Sequence, residues 1–224
     1  MDTFQRALEE LESMLKSDGV GTPVLSDAMD EVGVCGAIPG VRSYVNAQRP
    51  VVGYALPAQF RKAPDVTSAY RFGGGVGRPL ERVLKSMRAG QVVVLDLGGT
   101  VTASAWGELA SRLAQRCGVN GAVVNGSIRD VAQIQALGFP VWAAGVFPRR
   151  SRNEYVFGSL GEEISVGGVK VAANDIVVGD SSGVVCIPQH RLVEVVGLAR
   201  KIVESEARVT ASVMEGLTVE WDAV

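Results

Sequence analysis

The 224-residue chain carries 22 Lys and Arg against 24 Asp and Glu, a formal net charge of −2, with 47% apolar residues, 21% charged residues and 27 glycines. That balance offers no basic footprint for nucleic acid, and no apolar run nears the roughly 18–20 residues that span a bilayer, so neither is an expected partner and the expected location is the cytoplasm. The length and glycine content suit one compact α/β domain over residues 1–224.

Phe4, Leu8, Leu11 and Leu15 recur at helical spacing and predict a first helix over 3–16, with Gly19 and Gly21 as breakers. "TPVLSDAMDEVG" predicts a second, with Thr22 as N-cap, Pro23 in its first turn and Gly33 beyond its end, so the N-terminal helices fill about 3–33. "VVGYALPAQF" reads as a strand, and "RPLERVLKSMRAG" as a helix with Leu80, Val83, Leu84 and Met87 on one face. "QVVVLDLGG" is a buried strand ending in glycines. "WGELASRLAQRCG" is a helix with Leu109, Leu113 and Cys117 inward, and "GAVVNG" is a second buried strand. "RDVAQIQALG" is a short helix closed by Gly138, and "PVWAAG" a third strand. Continuous apolar strands alternating with helices imply a parallel βαβαβ core over about 91–145. Beyond residue 150 short strands follow, with a Gly167-Gly168 hairpin and runs at 176–178 and 184–187. A helix over about 189–215 closes the chain; its mixed charges suit partial exposure or packing on a neighbouring subunit.

Side-chain counts narrow the chemistry. Cys35, Cys117 and Cys186 are odd in number and lack a CxxC pair, so they are expected as small buried thiols rather than a disulfide or zinc framework. His190 is the only histidine and sits in "IPQHRL", where a surface or capping place is expected. Catalysis through a Ser–His–Asp triad, a Cys–His pair or a histidine-held zinc is thereby disfavoured. What remains is carboxylates, arginine, backbone amides and metals held by oxygen.

Ligands in open α/β sheets bind beyond the carboxyl ends of the strands. One such end delivers Asp96, Gly98, Gly99 and Thr100 and leads to Gly107-Glu108; its neighbour delivers Asn125 and Gly126 and leads to Arg129-Asp130. Side chains of adjacent residues diverge, so Arg129 and Asp130 read as two groups aimed at one cleft rather than an ion pair with each other. Glu108 and Asp130 suit Mg²⁺ or Mn²⁺, which take one or two carboxylates and keep waters. Arg129 offers a planar donor fork for a carboxylate or oxyanion, and the amides at the start of the Gly107–Ala110 helix can hold an anion. Acids in a helix's first turn also serve the dipole and capping, and Asp96 reads equally as a turn residue, so spacing alone leaves both roles open.

The stretch "DLGGTVTASAWGELASRLAQRCGVNGAVVNGSIRDVAQIQALGFPVWAAG" resembles the RraA-like family, which includes class II 4-hydroxy-4-methyl-2-oxoglutarate / 4-carboxy-4-hydroxy-2-oxoadipate aldolases. The likeness rests on Glu108, twenty intervening positions, then Arg129-Asp130. It extends through "LSDAMDEVGVCGAIPGVR", "PVVGYA" and "GGVKVAANDIVVGDSSGVVCIP" to cover about residues 22–215. The resemblance implies an α/β/β sandwich of the swivelling β/β/α type with a β-rich second half and helical extensions. It also implies a trimer or dimer of trimers with the site near a subunit boundary. Asp130 then ligates a divalent metal, Mg²⁺ or Mn²⁺, Glu108 holds water on it, and Arg129 contacts the pyruvyl oxygen of a 2-oxo acid substrate. The amides of Gly107, Leu109 and Ala110 hold its carboxylate. The implied activity is retro-aldol cleavage to pyruvate, with oxaloacetate decarboxylation; the alternative within the family is a regulator of ribonuclease E that acts by binding.

The chain departs from the family where an acid often stands at Gln133 and at "RFGGGVGRP", a stretch that also gives a weak nucleotide-loop reading without GxGxxG spacing. Glu204 or Glu206 is a candidate for reaching a neighbour's site. Arg149, Arg150 and Arg152 form a cluster suited either to a second substrate carboxylate or to the solvated surface.

Overall fold

The structure is a computed structural model and describes residues 3–17, 20–45, 50–64, 77–151 and 154–216. The segment before the third helix, most of "RFGGGVGRP", and Arg152 lie outside the described residues. The helices are α1 (Thr3–Met14), α2 (Thr22–Glu31), α3 (Gly77–Ser86), α4 (Glu108–Arg116), α5 (Val131–Leu137) and α6 (Leu192–Met214), the last entered through a 3₁₀ turn at Gln189–Arg191. The strands are β1 (Arg42–Ser43), β2 (Val51–Lys62), β3 (Gln91–Trp106), β4 (Gly121–Ile128), β5 (Val141–Val146), β6 (Tyr155–Leu160), β7 (Ile164–Val166), β8 (Val169–Val171), β9 (Ile176–Gly179) and β10 (Val184–Ile187). None of the described helices is long and apolar enough to cross a membrane.

Eight strands form one mixed sheet in the order β1-β5-β4-β3-β2-β9-β10, with β6 also paired to β2; β7 and β8 form a separate hairpin. The predicted βαβαβ unit is its centre: β2, β3, β4 and β5 run parallel, and every residue of β4 is buried, as a strand covered on both faces must be. Pro57 sits inside β2, where a missing N–H would normally break a ladder. It is tolerated because the neighbour on that side changes there, from β9 at Val51–Tyr54 to β6 at Ala58–Lys62. Helices α3, α4 and α5 cover one face through Val83, Met87, Ala110, Ala114 and Ile134. The β7–β8 hairpin packs on the other face around Trp142 and Val94, and α1, α2 and α6 close over β9 and β10.

Several local expectations change in the structure. The N-cap of α2 is Gly21, not Thr22. The cause is Asp180, in the β9–β10 turn. Its Oδ2 accepts from the Thr22 amide and its Oδ1 from the Thr22 hydroxyl, both at 2.7 Å, so a distant carboxylate does the work assigned to the threonine. In α4 the buried positions are Ala110, Ser111 and Ala114, while Leu109 is 72% exposed and Leu113 37%. Small side chains bring this helix close to the sheet and turn the leucines out. Of the cysteines only Cys186 is buried, and burial, then the charge of Asp175, pushes its thiol upward, away from the reactive thiolate; Cys35 and Cys117 are exposed. His190 is exposed in the 3₁₀ turn, as expected. Past Ala199 α6 carries no buried residue, and both Glu204 and Glu206 are exposed there.

Candidate active site

β3 does not stop at its glycines. From Asp96 to Trp106 it advances ten residues while β4 advances three, from Asn125 to Ile128, and the surplus forms an exposed excursion turned by Gly98 and Gly99 at φ +67° and +74°. That excursion separates two groups expected to share one strand-end crevice. Asp96 stays on its near side, buried, accepting from the Gly98 amide at 2.9 Å, the Asn125 amide group at 2.7 Å and Gln59 at 3.3 Å. These bonds make it the turn residue of the two readings. It borders a shallow cleft with Gly99 and Asn125, while Gly107, Arg129 and Asp130 line another of about 240 Å³.

This second cleft is built from chain reversals at the ends of β3 and β4. The Arg129 amide donates to the Trp106 carbonyl at 3.0 Å, tying the two strand ends together. Trp106 is anchored in the core, stacked on Phe139 with centroids 6.3 Å apart and donating through its indole N–H to Ser111 Oγ at 2.9 Å. Asp130 has left-handed backbone, φ +58° and ψ +38°, a conformation that costs a non-glycine residue on the order of 1–2 kcal/mol. The turn swings its carboxylate away from its own helix α5 and toward α4. There Oδ2 accepts from the Glu108 amide at 3.2 Å and lies 3.6 Å from Arg129 Nε. Adjacent Arg129 and Asp130 therefore do form an ion pair, contrary to the sequence reading, because the left-handed residue folds one side chain back beside the other. Both remain about one-third exposed and both line the cleft.

Gly107 is required by space rather than by backbone angle. Its φ of −167° suits any residue, but a Cβ there would sit 2.6 Å from Asp130 Oδ2 and 3.2 Å from Arg129 Cγ. The amides of Leu109 and Ala110 follow in the first turn of α4, where no carbonyl of the helix can reach them. Both residues line the cleft, Leu109 also through its exposed side chain. Glu108 is held differently: its Oε1 accepts from Arg112 Nε at 2.8 Å along the helix surface, and it is not among the lining residues. Gln133 is exposed on α5.

The donor chemistry fits a cation that needs few protein ligands. Among the described residues no group of three or more His, Cys, Asp or Glu is arranged to hold a metal, so no full protein cage exists. Among the described lining residues Asp130 presents the one carboxylate, which is within the one or two that Mg²⁺ or Mn²⁺ takes while keeping water and substrate oxygens; Glu108, in the adjoining turn, is paired with Arg112 instead.

Of the arginine cluster, Arg149 pairs with Glu154 and is not among the described residues that line the cleft, whereas Arg150 lines it beside Leu80, Leu84, Ser104 and Ser151. The loop is fixed to β3 by the Ser104 amide donating to the Arg149 carbonyl and by the Ser151 amide and hydroxyl donating to the Ser104 carbonyl, each at 2.9 Å. This wall joins residues 47 positions apart through a tertiary bridge, and no local pattern announces it.

The family model of RraA-like proteins, described as Aldolase/RraA, matches residues 22–186. Protein DlpA of Legionella pneumophila is 26% identical over 219 residues, which are 98% of this chain and 33% of that protein, so the chain spans about a third of that relative's length. A putative 4-hydroxy-4-methyl-2-oxoglutarate aldolase of Halalkalibacterium halodurans is 29% identical over 86% of this chain and 84% of its own. The crystal structure of Streptomyces coelicolor RraAS2, described as an unusual member of the RNase ES inhibitor RraA protein family, superposes with a TM-score of 0.74 at 26% identity. That superposition covers 89% of this chain and 96% of the other.

Proposed function

This chain belongs to the RraA-like family, and from that premise we propose that it is a divalent-metal-dependent lyase cleaving a 4-hydroxy-2-oxo acid to pyruvate and a second 2-oxo acid, with oxaloacetate decarboxylation through the same electron sink. The observation that carries the reading is the meeting of Arg129, Asp130 and the Gly107–Ala110 helix start in one cleft. Asp130, assisted by Glu108, would hold the cation, which when bound supplies Lewis-acid polarisation of the 2-oxo group.

The chain's own groups do the rest. Amides of Leu109 and Ala110 receive the substrate carboxylate at the positive end of α4. Arg129, already oriented by Asp130, donates to the C2 oxygen as negative charge develops there. The C3–C4 bond then breaks with its electron pair passing into the C2–C3 enolate, while C4 becomes a carbonyl as its hydroxyl proton leaves to water, which Glu108 would orient on exchanging its Arg112 partner for the cleft. Protonation of C3 gives pyruvate. With His190 exposed in the 3₁₀ turn, no histidine is assigned to these proton steps.

Pyruvate release from 4-hydroxy-4-methyl-2-oxoglutarate, 4-carboxy-4-hydroxy-2-oxoadipate and oxaloacetate, coupled to lactate dehydrogenase, tests the reading. EDTA is expected to remove turnover and Mg²⁺ or Mn²⁺ to restore it. Silence across all three substrates, together with capture of ribonuclease E, would favour the binding-regulator role instead.

A second expectation concerns Gly107. The Gly107→Ala variant should lose roughly 100-fold in kcat/KM, because its methyl group displaces the Asp130 carboxylate, while circular dichroism stays that of the wild type. Unchanged kinetics would show that this carboxylate position is not needed.

A further inference from the structure

We propose that Arg150 is the residue that selects for a second carboxylate, making the cleft specific for dicarboxylic 4-hydroxy-2-oxo acids over monocarboxylic ones. This rests on the lyase reading of the same cleft, whose two 2-oxo acid products already require a substrate with a second carboxylate, and adds to it the residue that recognises that carboxylate. Among the described residues, two arginines and one aspartate line the cavity, an excess of positive charge on that part of the wall although the chain as a whole is negative. Arg129 is committed to Asp130 and to the reacting end. The neighbouring Arg149 is neutralised by Glu154, but among the described residues no carboxylate pairs with Arg150.

Its position is fixed by the fold rather than by a free loop. Arg150 is bridged to Ser104 of β3, and hydrogen bonds on both sides, from Ser104 to Arg149 and from Ser151 to Ser104, hold its backbone against the strand. Arg129 comes from the β4–α5 turn, so the two guanidinium groups enter from different elements. The remaining side chains of the wall are largely apolar, Leu80, Leu84 and Leu109 among them. A monocarboxylic substrate filling this space would strip water from Arg150 and give nothing back; a distal carboxylate would accept its paired N–H donors in a charge-assisted, bidentate bond.

The test compares kcat/KM for 4-hydroxy-4-methyl-2-oxoglutarate with that for 4-hydroxy-4-methyl-2-oxopentanoate, which lacks the second carboxylate, in wild type, Arg150→Gln, Arg150→Lys and Arg149→Gln. The wild type should prefer the diacid. In Arg150→Gln that preference should fall roughly 10- to 100-fold, carried by KM, with partial recovery in Arg150→Lys, as expected for loss of a charged hydrogen bond. Arg149→Gln should keep the wild-type preference. An unchanged ratio in Arg150→Gln overturns the proposal. Calorimetric binding of oxaloacetate against pyruvate, with the same variants, separates the two levels of inference. Arg150-dependent preference for oxaloacetate without any turnover sinks the lyase reading and sustains this one, and equal binding of both acids overturns it.

Discussion

Replacing Asp130 with asparagine is expected to lower metal-dependent turnover on the order of a thousandfold while leaving the fold intact. The substitution is chosen for its backbone. Asp130 is one of two non-glycine residues in the described chain with positive φ, and asparagine tolerates that conformation as well as aspartate does. Its amide oxygen can still accept from the Glu108 N–H, so the link from the β4–α5 turn to α4 survives. What goes is the negative charge that would bind a cation and that now steadies Arg129 at 3.6 Å. Alanine would remove both charge and acceptor and would bear the left-handed strain less well, confusing loss of chemistry with loss of structure. Kinetics with Mg²⁺ or Mn²⁺, beside thermal unfolding of the same preparation, decide the matter. Turnover within a factor of about ten of wild type would remove Asp130 from the machinery.

The largest expected effect on stability lies outside that cleft, at Asp180. Its buried carboxylate accepts four hydrogen bonds, from the amide and hydroxyl of Thr22 and from the amides of Ser182 and Gly183, and its carbonyl accepts from the Trp142 indole. The residue thus fastens the start of α2 to the β9–β10 turn and to the centre of the sheet. Gly21 is part of the arrangement, since a Cβ there would fall 2.5 Å from Asp180 Oδ2. Asp180→Ala leaves four donors without an acceptor and is expected to cost about 3 kcal/mol or more, lowering Tm by roughly 6–12 °C in a chain of this size. Asp180→Asn should lose less, because one acceptor oxygen stays. Differential scanning calorimetry measures both; a shift under about 2 °C for the alanine variant would mean that the turn holds α2 by other contacts.

The sequence is informative where structure is local or periodic. The alternation of apolar strands and helices marks the parallel centre of the sheet, the Gly167-Gly168 pair marks the β7–β8 hairpin, and Gly138 closes α5 in the left-handed conformation expected of it. Arg129, Asp130 and the start of α4 come to one cleft because two parallel strands end side by side, which the pattern alone suggests. Position across the fold is less legible. Asp96 looks equivalent to Asp130 in sequence, yet the surplus residues of β3 set it in a different cleft, and nothing in "DLGGTVTASAW" distinguishes a loop from a strand that leaves its partner and returns. The inward face of α4 is misread because leucine is more apolar than alanine, whereas closeness to the sheet selects the smaller residue. The ion pair of Arg129 with Asp130 depends on one backbone angle, and the contrast between Arg149 and Arg150 on which of them meets Glu154.

In the proposed reaction this cleft stabilises the enolate of pyruvate. Exchange of the methyl protons of pyruvate in deuterium oxide, followed by proton NMR, tests it without knowledge of the natural substrate. Loss of the methyl signal with Mg²⁺ or Mn²⁺ present, suppressed by EDTA and by Asp130→Asn, is the predicted result. Exchange no faster than in the protein-free control at saturating metal and pyruvate would contradict it.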